Sequence, residues 1–157
     1  MKVLSAGLAC FFLFVATMVP AVRQTRAQNE HTHDQFIGAW RLLWLEEPDA
    51  DGKVHRADCT GMLVYARDGH MSVQVMYREP KTGQSGPVQY AQGGYEASFG
   101  RYEVNEGAHT FTFHVEGAMV RSLIGKDLVR VFEISGKQMI VQSANPNERW
   151  RVAWEHY

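Results

Sequence analysis

Arg130 is the residue whose type and position point most directly to binding chemistry. In the segment Leu128–Ile134, side chains of a strand alternate between two faces, which puts Arg130 on the apolar face beside Leu128 and Phe132. An unpaired charge is very costly to bury, so an inward Arg130 needs a carboxylate, either internal or on a ligand bound bidentately. The alternative is that Arg130 lies near the strand end and extends its guanidinium to water.

A histidine and a glutamate on the segment 109–117 form a second candidate site. His114 and Glu116 share one face of this predicted strand, and the other face carries Phe111, Phe113 and Val115. If the polar face is inside, His114 and Glu116 form an acid–base pair, and Tyr102 or Arg130 would stabilise a developing oxyanion. If the aromatic face is inside, as hydrophobicity favours, His114 points outward. The sequence leaves both orientations open.

Two tyrosines and a histidine flank the first predicted hairpin. Tyr65 and His70 lie beside the Asp68-Gly69 turn signal, and Tyr77 lies near the end of the returning strand. We predict that they line the mouth of the fold, although tyrosine is also common as ordinary packing on strands.

The remaining metal-binding and nucleophilic residue types give weak signals. His31 and His33 have a chelating i, i+2 spacing, but they lie in a polar leader that supplies no rigid site, so no metal or cofactor is predicted. Cys59 has only Arg56 nearby in sequence to lower its pKa. We therefore expect Cys59 to be a half-buried turn residue and not a nucleophile.

The N-terminal segment has the composition of a cleaved export signal. Lys2 is followed by an apolar run from Val3 to Val22, and cleavage is predicted after Ala27 or, as a second choice, after Ala21. The alternative is an uncleaved membrane anchor, since the run approaches the roughly 20 residues that span a bilayer. Pro20 and the polar residues after it favour cleavage. We expect a periplasmic or secreted protein without stable membrane insertion.

Removal of residues 1–27 would leave 130 of the 157 residues, which is enough for one domain with one core. Three of the 16 basic residues and none of the 17 acidic residues lie in that segment, so the remainder is mildly acidic. It has no basic cluster, and no nucleic-acid partner is predicted. Cys59 would be its one cysteine, so no internal disulfide is expected.

After a polar leader at 28–35, residues 36–157 are predicted to form one all-β domain. The first strand, Phe36–Leu45, has Gly38, Trp40, Leu42 and Trp44 on one face, with Trp40 closing one end of the core. A stretch rich in Gly and Pro at 79–94, with Tyr90 and Tyr95, predicts a long loop that is either a binding lid or a solvent-exposed excursion. The further predicted strands are Lys53–Arg56, Met62–Arg67, His70–Arg78, Ala97–Val104, His109–Gly117, Lys126–Ile134, Lys137–Ser143 and Arg149–His156. Eight or nine consecutive strands with short turns predict an eight-stranded antiparallel up-and-down barrel.

Several segments together resemble the bacterial and fungal lipocalin-like domain family. Gly38-Ala39-Trp40 is similar to the Gly-x-Trp signature of lipocalins and other calycins. It is followed in order by Thr60–Tyr65, Asp68–Ser72, Phe99–Val104 and His114–Gly117. The resemblance covers residues 36–155 and implies an eight-stranded barrel whose mouth accepts one small, mostly apolar molecule. It also implies a basic residue, Arg149 or Arg151, stacked on Trp40.

Three classes of function remain open, because calycin-type barrels include carriers, enzymes and inhibitors. The first is an exported protein that binds a small, mostly hydrophobic molecule, one option being an acid held by Arg130. The second is a cofactor-free isomerase, cyclase or dehydratase that uses His114 and Glu116, and the third is a protein-binding barrel with a filled core. For each class we expect a monomer or small homo-oligomer. The ligand-binding candidates are Arg130, Tyr102, Tyr65, Trp40 and Tyr77.

Overall fold

The structure is a computed structural model, and it describes residues 33–79 and 93–157. The predicted export signal at 1–27, all but the last three residues of the leader at 28–35, and most of the predicted loop at 79–94 lie outside the described residues. In the part of the chain that is described, no helix is long and apolar enough to cross a membrane.

The described residues form a closed antiparallel barrel with one extra strand. The strands are β1 (Gly38–Pro48), β2 (Val54–Arg56), β3 (Cys59–Tyr65), β4 (His70–Tyr77), β5 (Tyr95–Asn105), β6 (Thr110–Ala118), β7 (Asp127–Ser135), β8 (Gln138–Ser143) and β9 (Arg151–His156). Each strand from β3 onward pairs antiparallel with the next, and β1 pairs with both β3 and β9, which closes the ring. β2 pairs with the end of β1 outside this ring. The predicted eight-stranded up-and-down barrel is confirmed.

A β-bulge in β1 changes which side chains face the interior. The pairing with β9 shifts register between Leu42 and Trp44. The extra residue reverses the alternation, so Leu45 and Glu47 point inward after it. The prediction that Trp44 shares the inner face of Trp40 is therefore wrong, and Trp44 instead packs under the guanidinium of Arg56, 5.1 Å from the ring centre.

Aromatic side chains seal one end of the barrel, here called the closed end. Phe36 is fully buried there, in edge-to-face contact with Tyr65 and Phe132 at ring distances of 5.0 and 4.8 Å. Trp40 is 1 % exposed, and its indole N–H donates to the carbonyl of Phe36 at 2.8 Å. His156 of β9, the register partner of Trp40 in β1, also lies at this end. The segment before β1 thus forms a plug for the barrel.

The residue beside Trp40 is His156 and not an arginine. Its ring lies 4.8 Å from the indole in an edge-to-face arrangement. Arg149 donates a hydrogen bond instead to the carbonyl of Gly52. Arg151 lies opposite Glu46 in the register of β1 and β9, at the other end of β1. The predicted stacking of Arg149 or Arg151 on Trp40 is therefore wrong, because the antiparallel register of β1 and β9 brings the last residues of β9 to Trp40.

Candidate functional site

The interior of the barrel contains a partly open cavity, with about 100 Å³ of space for the centres of water-sized molecules. One water needs roughly 10–15 Å³ of such space, so the cavity has room for a small organic molecule. Its wall is mostly apolar, with side chains from β1, β3 and every strand from β4 to β9. The polar and charged groups on it include Glu47, Tyr65, Tyr77, Glu96, Ser98 and Arg130. The protein-binding hypothesis predicts a filled core, whereas the interior of this barrel contains a cavity.

Arg130 lies inside the barrel and already has partners there. It is 8 % exposed, and its guanidinium lies 5.0 Å from the centre of the Trp150 ring. Its Nη1 is 3.8 Å from Oε2 of Glu148 and donates to the Ser143 hydroxyl at 3.4 Å. Arg130 thus has the internal carboxylate that its burial requires, in Glu148. A ligand carboxylate at this position would have to compete with Glu148.

Glu96 is one of two acidic side chains on the described cavity wall that sequence reasoning missed. β5 begins at Tyr95, and the alternation along it turns Glu96 inward together with Ser98 and Tyr102. The side chain is half-buried, and it borders the free space of the cavity. Burial raises its pKa from 4.5 to about 7, and the positive charge of Arg130 opposes this rise. Among the described residues, none forms a hydrogen bond or ion pair with Glu96.

Tyr65 presents a second polar group without a partner. Its side chain is 1 % exposed and lines the cavity, and its hydroxyl has no hydrogen-bond partner in the described ranges. Burial raises the pKa of this phenol well above its usual value, while Arg130 acts in the opposite direction. Buried polar groups are nearly always hydrogen-bonded, so an open hydroxyl on a cavity wall marks a place where a ligand or water can bind.

Glu47 and Tyr77 form a hydrogen-bonded pair on the same wall. The Tyr77 hydroxyl donates to Oε2 of Glu47 at 2.7 Å, and Nε2 of His55 lies 3.9 Å from the other carboxylate oxygen. Burial and the neighbouring carboxylate together raise the pKa of Tyr77 far above its ordinary value. Tyr77 was predicted from the sequence to line the mouth, whereas Glu47 was missed because only the bulge in β1 turns it inward.

Trp40 and Tyr102, which we predicted to contact ligand, do not lie on the cavity wall. Trp40 is part of the plug at the closed end. The Tyr102 hydroxyl donates to the carbonyl of Ala66 at 3.2 Å and lies 3.2 Å from Nε2 of His33. Burial raises the pKa of Tyr102 to about 12. His70, also expected at the mouth, is exposed at the β3–β4 turn, with Nδ1 3.0 Å from Asp68.

His114 and Glu116 lie on the outside of the barrel. The inner face of β6 consists of three buried apolar side chains, Phe111, Phe113 and Val115. Nδ1 of His114 is 2.7 Å from Oδ1 of Asp127, and Glu116 is exposed at the bulge opposite Phe99 and Gly100. The inward acid–base pair does not form, because the hydrophobic effect places the aromatic face inside. In the described ranges no histidine lines the cavity.

The weaker candidates have separate surroundings. In residues 33–79 and 93–157, no group of three or more His, Cys, Asp or Glu side chains could hold a metal ion. His33 stacks on Tyr102, and His31 lies outside the described residues. Cys59 is a free, half-buried thiol whose pKa rises to about 11, chiefly through burial and then through the charge of Glu47.

Comparison with known proteins gives one family and several distant structures. A family model described as a lipocalin-like domain matches residues 37–156. No curated protein matches the chain. A lipocalin-like protein from Bacteroides uniformis ATCC 8492 is 13 % identical, with a TM-score of 0.47 over 78 % of this chain and 99 % of that one. An uncharacterized protein from Bacteroides eggerthii DSM 20697 is 14 % identical, with a TM-score of 0.44 over 78 % and 99 %. A redesigned β-barrel is 9 % identical, with a TM-score of 0.43 over 80 % and 94 %.

Proposed function

The chain belongs to the lipocalin-like domain family, and from this premise we propose that it binds one small, mostly hydrophobic molecule inside the barrel. The observation that carries this proposal is the cavity of about 100 Å³ within a closed ring of strands. Ligand sites are typically concave and mostly apolar, with a few placed polar groups. This cavity has that composition.

The energetic basis of binding is the burial of ligand surface against the apolar wall. Each Å² of apolar surface removed from water stabilises the complex by roughly 25 cal/mol, before the cost of association is subtracted. The wall is made by regular strands, and backbone hydrogen bonds link each strand to its neighbours around the ring. A ligand would therefore enter a largely preformed site, which reduces the entropy lost on binding.

The test uses two neighbouring positions on β7 that differ in the direction of their side chains. Leu128 lines the cavity, whereas Val129 is on the outer face and is 42 % exposed. Binding of 1-octanol is measured by calorimetry to the wild type and to Leu128→Trp and Val129→Trp. We expect Leu128→Trp to lower the affinity at least tenfold by filling the cavity, and Val129→Trp to leave it unchanged.

Far-UV circular dichroism and urea unfolding establish that both variants are folded before they are compared. Bound octanol must also raise the stability of the wild type, since a ligand that binds only the folded state stabilises it. The proposal fails if the wild type binds no octanol, or if the folded Leu128→Trp variant binds as well as Val129→Trp does.

We also propose that the protein is exported and acts as a monomer or small homo-oligomer in the periplasm or the medium. The support is the charged and then apolar composition of residues 1–27. We expect the mature protein to begin at Gln28, which intact-mass measurement of protein from the export compartment will test. A protein that keeps Met1 or stays with the membrane would contradict the proposal.

A further inference from the structure

The charged groups on the cavity wall differ in whether the protein already pairs them. Arg130 is close to Glu148 and Trp150. The Glu47 carboxylate accepts a hydrogen bond from Tyr77 at 2.7 Å. Glu96 has neither a hydrogen bond nor an ion pair within the described residues. Of these charged groups, Glu96 is the one that the described part of the chain leaves for a ligand.

The balance of charge in the cavity favours a positively charged ligand group. Among the residues that the structure describes, the wall carries two carboxyl groups, Glu47 and Glu96, against the single guanidinium of Arg130, and that guanidinium has Glu148 beside it. The other titratable groups on the wall are the phenols of Tyr65 and Tyr77, and the described parts of β6, β8 and β9 present only uncharged side chains to it. A ligand carboxylate would add a further acidic group, whereas a ligand cation would offset the excess of acidic groups on the wall.

We propose that the cavity takes a hydrophobic amine, with the ammonium group paired to Glu96 and the apolar body against the aromatic wall. This inference rests on the proposed function, because it assigns a chemical class to the molecule bound in the barrel. The same wall carries the rings of Phe111 and Phe113, which lie opposite Val104 and Tyr102, toward the other end of β5 from Glu96. These rings suit the apolar body of such a ligand.

The energetics of pairing favour this site because folding has already removed part of the water from the half-buried Glu96 carboxyl. A buried ion pair usually gains little, since both charges must lose their hydration. Above about pH 7, where Glu96 is ionised, the protein already bears part of that cost when it folds, and a ligand adds mainly the desolvation of its ammonium. At about pH 6, binding must also ionise the neutral carboxyl. The ammonium also adds to the positive charge of Arg130 that acts on Glu96, and this interaction favours the ionised carboxylate.

Ammonium binding to Glu96 has a proton signature that simple hydrophobic binding lacks. Below about pH 7 the free protein holds Glu96 in its neutral form. When an ammonium ion binds, the carboxyl ionises, its O–H bond breaks, and the proton passes to the buffer. At about pH 6 we expect release of close to one proton for each amine bound, and almost none at about pH 8.5, where Glu96 is already ionised.

The experiment compares three ligands with one hydrocarbon body and different heads: 1-octylamine, 1-octanol and octanoate. Calorimetry at about pH 6, in buffers of different ionisation enthalpy, gives both the affinity and the number of protons released. The proteins are the wild type, Glu96→Gln and Glu103→Gln, a control on the same strand but on its exposed outer face. We expect the wild type and the control to bind the amine at least tenfold tighter than the other two ligands. Glu96→Gln should lose both this preference and the proton release.

The outcomes separate this inference from the proposed function. If octanol binds in the cavity but the amine binds no tighter, or if Glu96→Gln keeps the preference, the amine assignment is overturned while the barrel remains a binding site. Preference for octanoate also overturns the assignment and favours a carboxylate at Arg130. If none of the three ligands binds, the proposed function and the amine assignment both fail.

Discussion

Glu96→Gln is expected to stabilise the ligand-free protein at about pH 8 and to have little effect at about pH 4. Glutamine has nearly the shape of a protonated glutamate, but it cannot ionise. The substitution therefore removes the cost of a buried carboxylate and leaves the packing of the cavity wall almost unchanged.

The sign follows from the difference between the folded and unfolded pKa values of Glu96. The pKa is raised from 4.5 in the unfolded chain to about 7 in the folded protein. Between these values the folded state holds the proton and the unfolded state has lost it, so stability falls as pH rises. The contribution of the neutral carboxyl is complete below pH 4.5 and is lost by the time the pH exceeds about 7.

The size of the effect comes from the same shift. A change from 4.5 to about 7, at 1.36 kcal/mol per pKa unit, corresponds to about 3 kcal/mol in the free energy of unfolding. With an m-value of roughly 1–3 kcal/mol/M, this moves the urea midpoint by about 1–3 M. Such a shift is large against the total stability of roughly 5–15 kcal/mol that domains usually have.

The assay is urea unfolding of the wild type and Glu96→Gln at a series of pH values from about 4 to about 8. Glu103→Gln is the matched control, because its carboxyl lies on β5 but its side chain is 82 % exposed. We expect the stability difference for Glu96→Gln to grow through the interval from pH 4.5 to about 7, and that for Glu103→Gln to stay nearly constant. A difference for Glu96→Gln that does not change with pH would refute the reasoning about its burial.

Three further substitutions or reactions test other parts of the structure. Phe36→Ala should lower the free energy of unfolding by about 3–5 kcal/mol, because it opens a void at the closed end. The control Phe99→Ala, at a site that is 56 % exposed, should change the free energy of unfolding by no more than about 0.5 kcal/mol. Gly38→Ala should lower the free energy of unfolding by about 1–3 kcal/mol, since φ is +135° at this position and a Cβ would meet the His156 ring. A Gly38→Ala variant as stable as the wild type in urea unfolding would contradict this. Cys59 should react with iodoacetamide at about pH 7.5 more slowly than free cysteine, because burial raises its pKa to about 11. The reaction is followed by mass spectrometry. A rate equal to that of free cysteine would show that the thiolate is accessible and would contradict this prediction.

Glu96 shows what local patterns can and cannot reveal about a site. Its i, i+2 relation to Ser98 puts it on the face that continues to Tyr102, and this alternation was present in the sequence. The predicted strand begins at Ala97, after a stretch dense in glycine, so Glu96 falls between the predicted loop and the predicted strand. Moving the start of the strand to Tyr95 would have placed the carboxyl inside.

The sequence by itself predicted the barrel and its strand order, and it put Arg130 on the apolar face of its strand. These properties depend on alternation within single strands and on short turns such as Asp68-Gly69, and both are local. The apolar neighbours of Arg130, Leu128 and Phe132, were enough to predict its face. Local alternation also left two orientations for β6, and only the closed ring decided that its aromatic side is the buried one.

Only the tertiary structure decided which groups meet inside the barrel. The bulge in β1 turns Glu47 inward, and the register of β9 against β1 brings His156 to Trp40. A bulge and a register are settled by pairing between strands far apart in the sequence, so no single segment encodes them. Glu148 becomes the partner of Arg130 for the same reason. The cavity therefore received Glu47 from the pairing of β1 with β9, whereas the alternation along β5 already turned Glu96 inward.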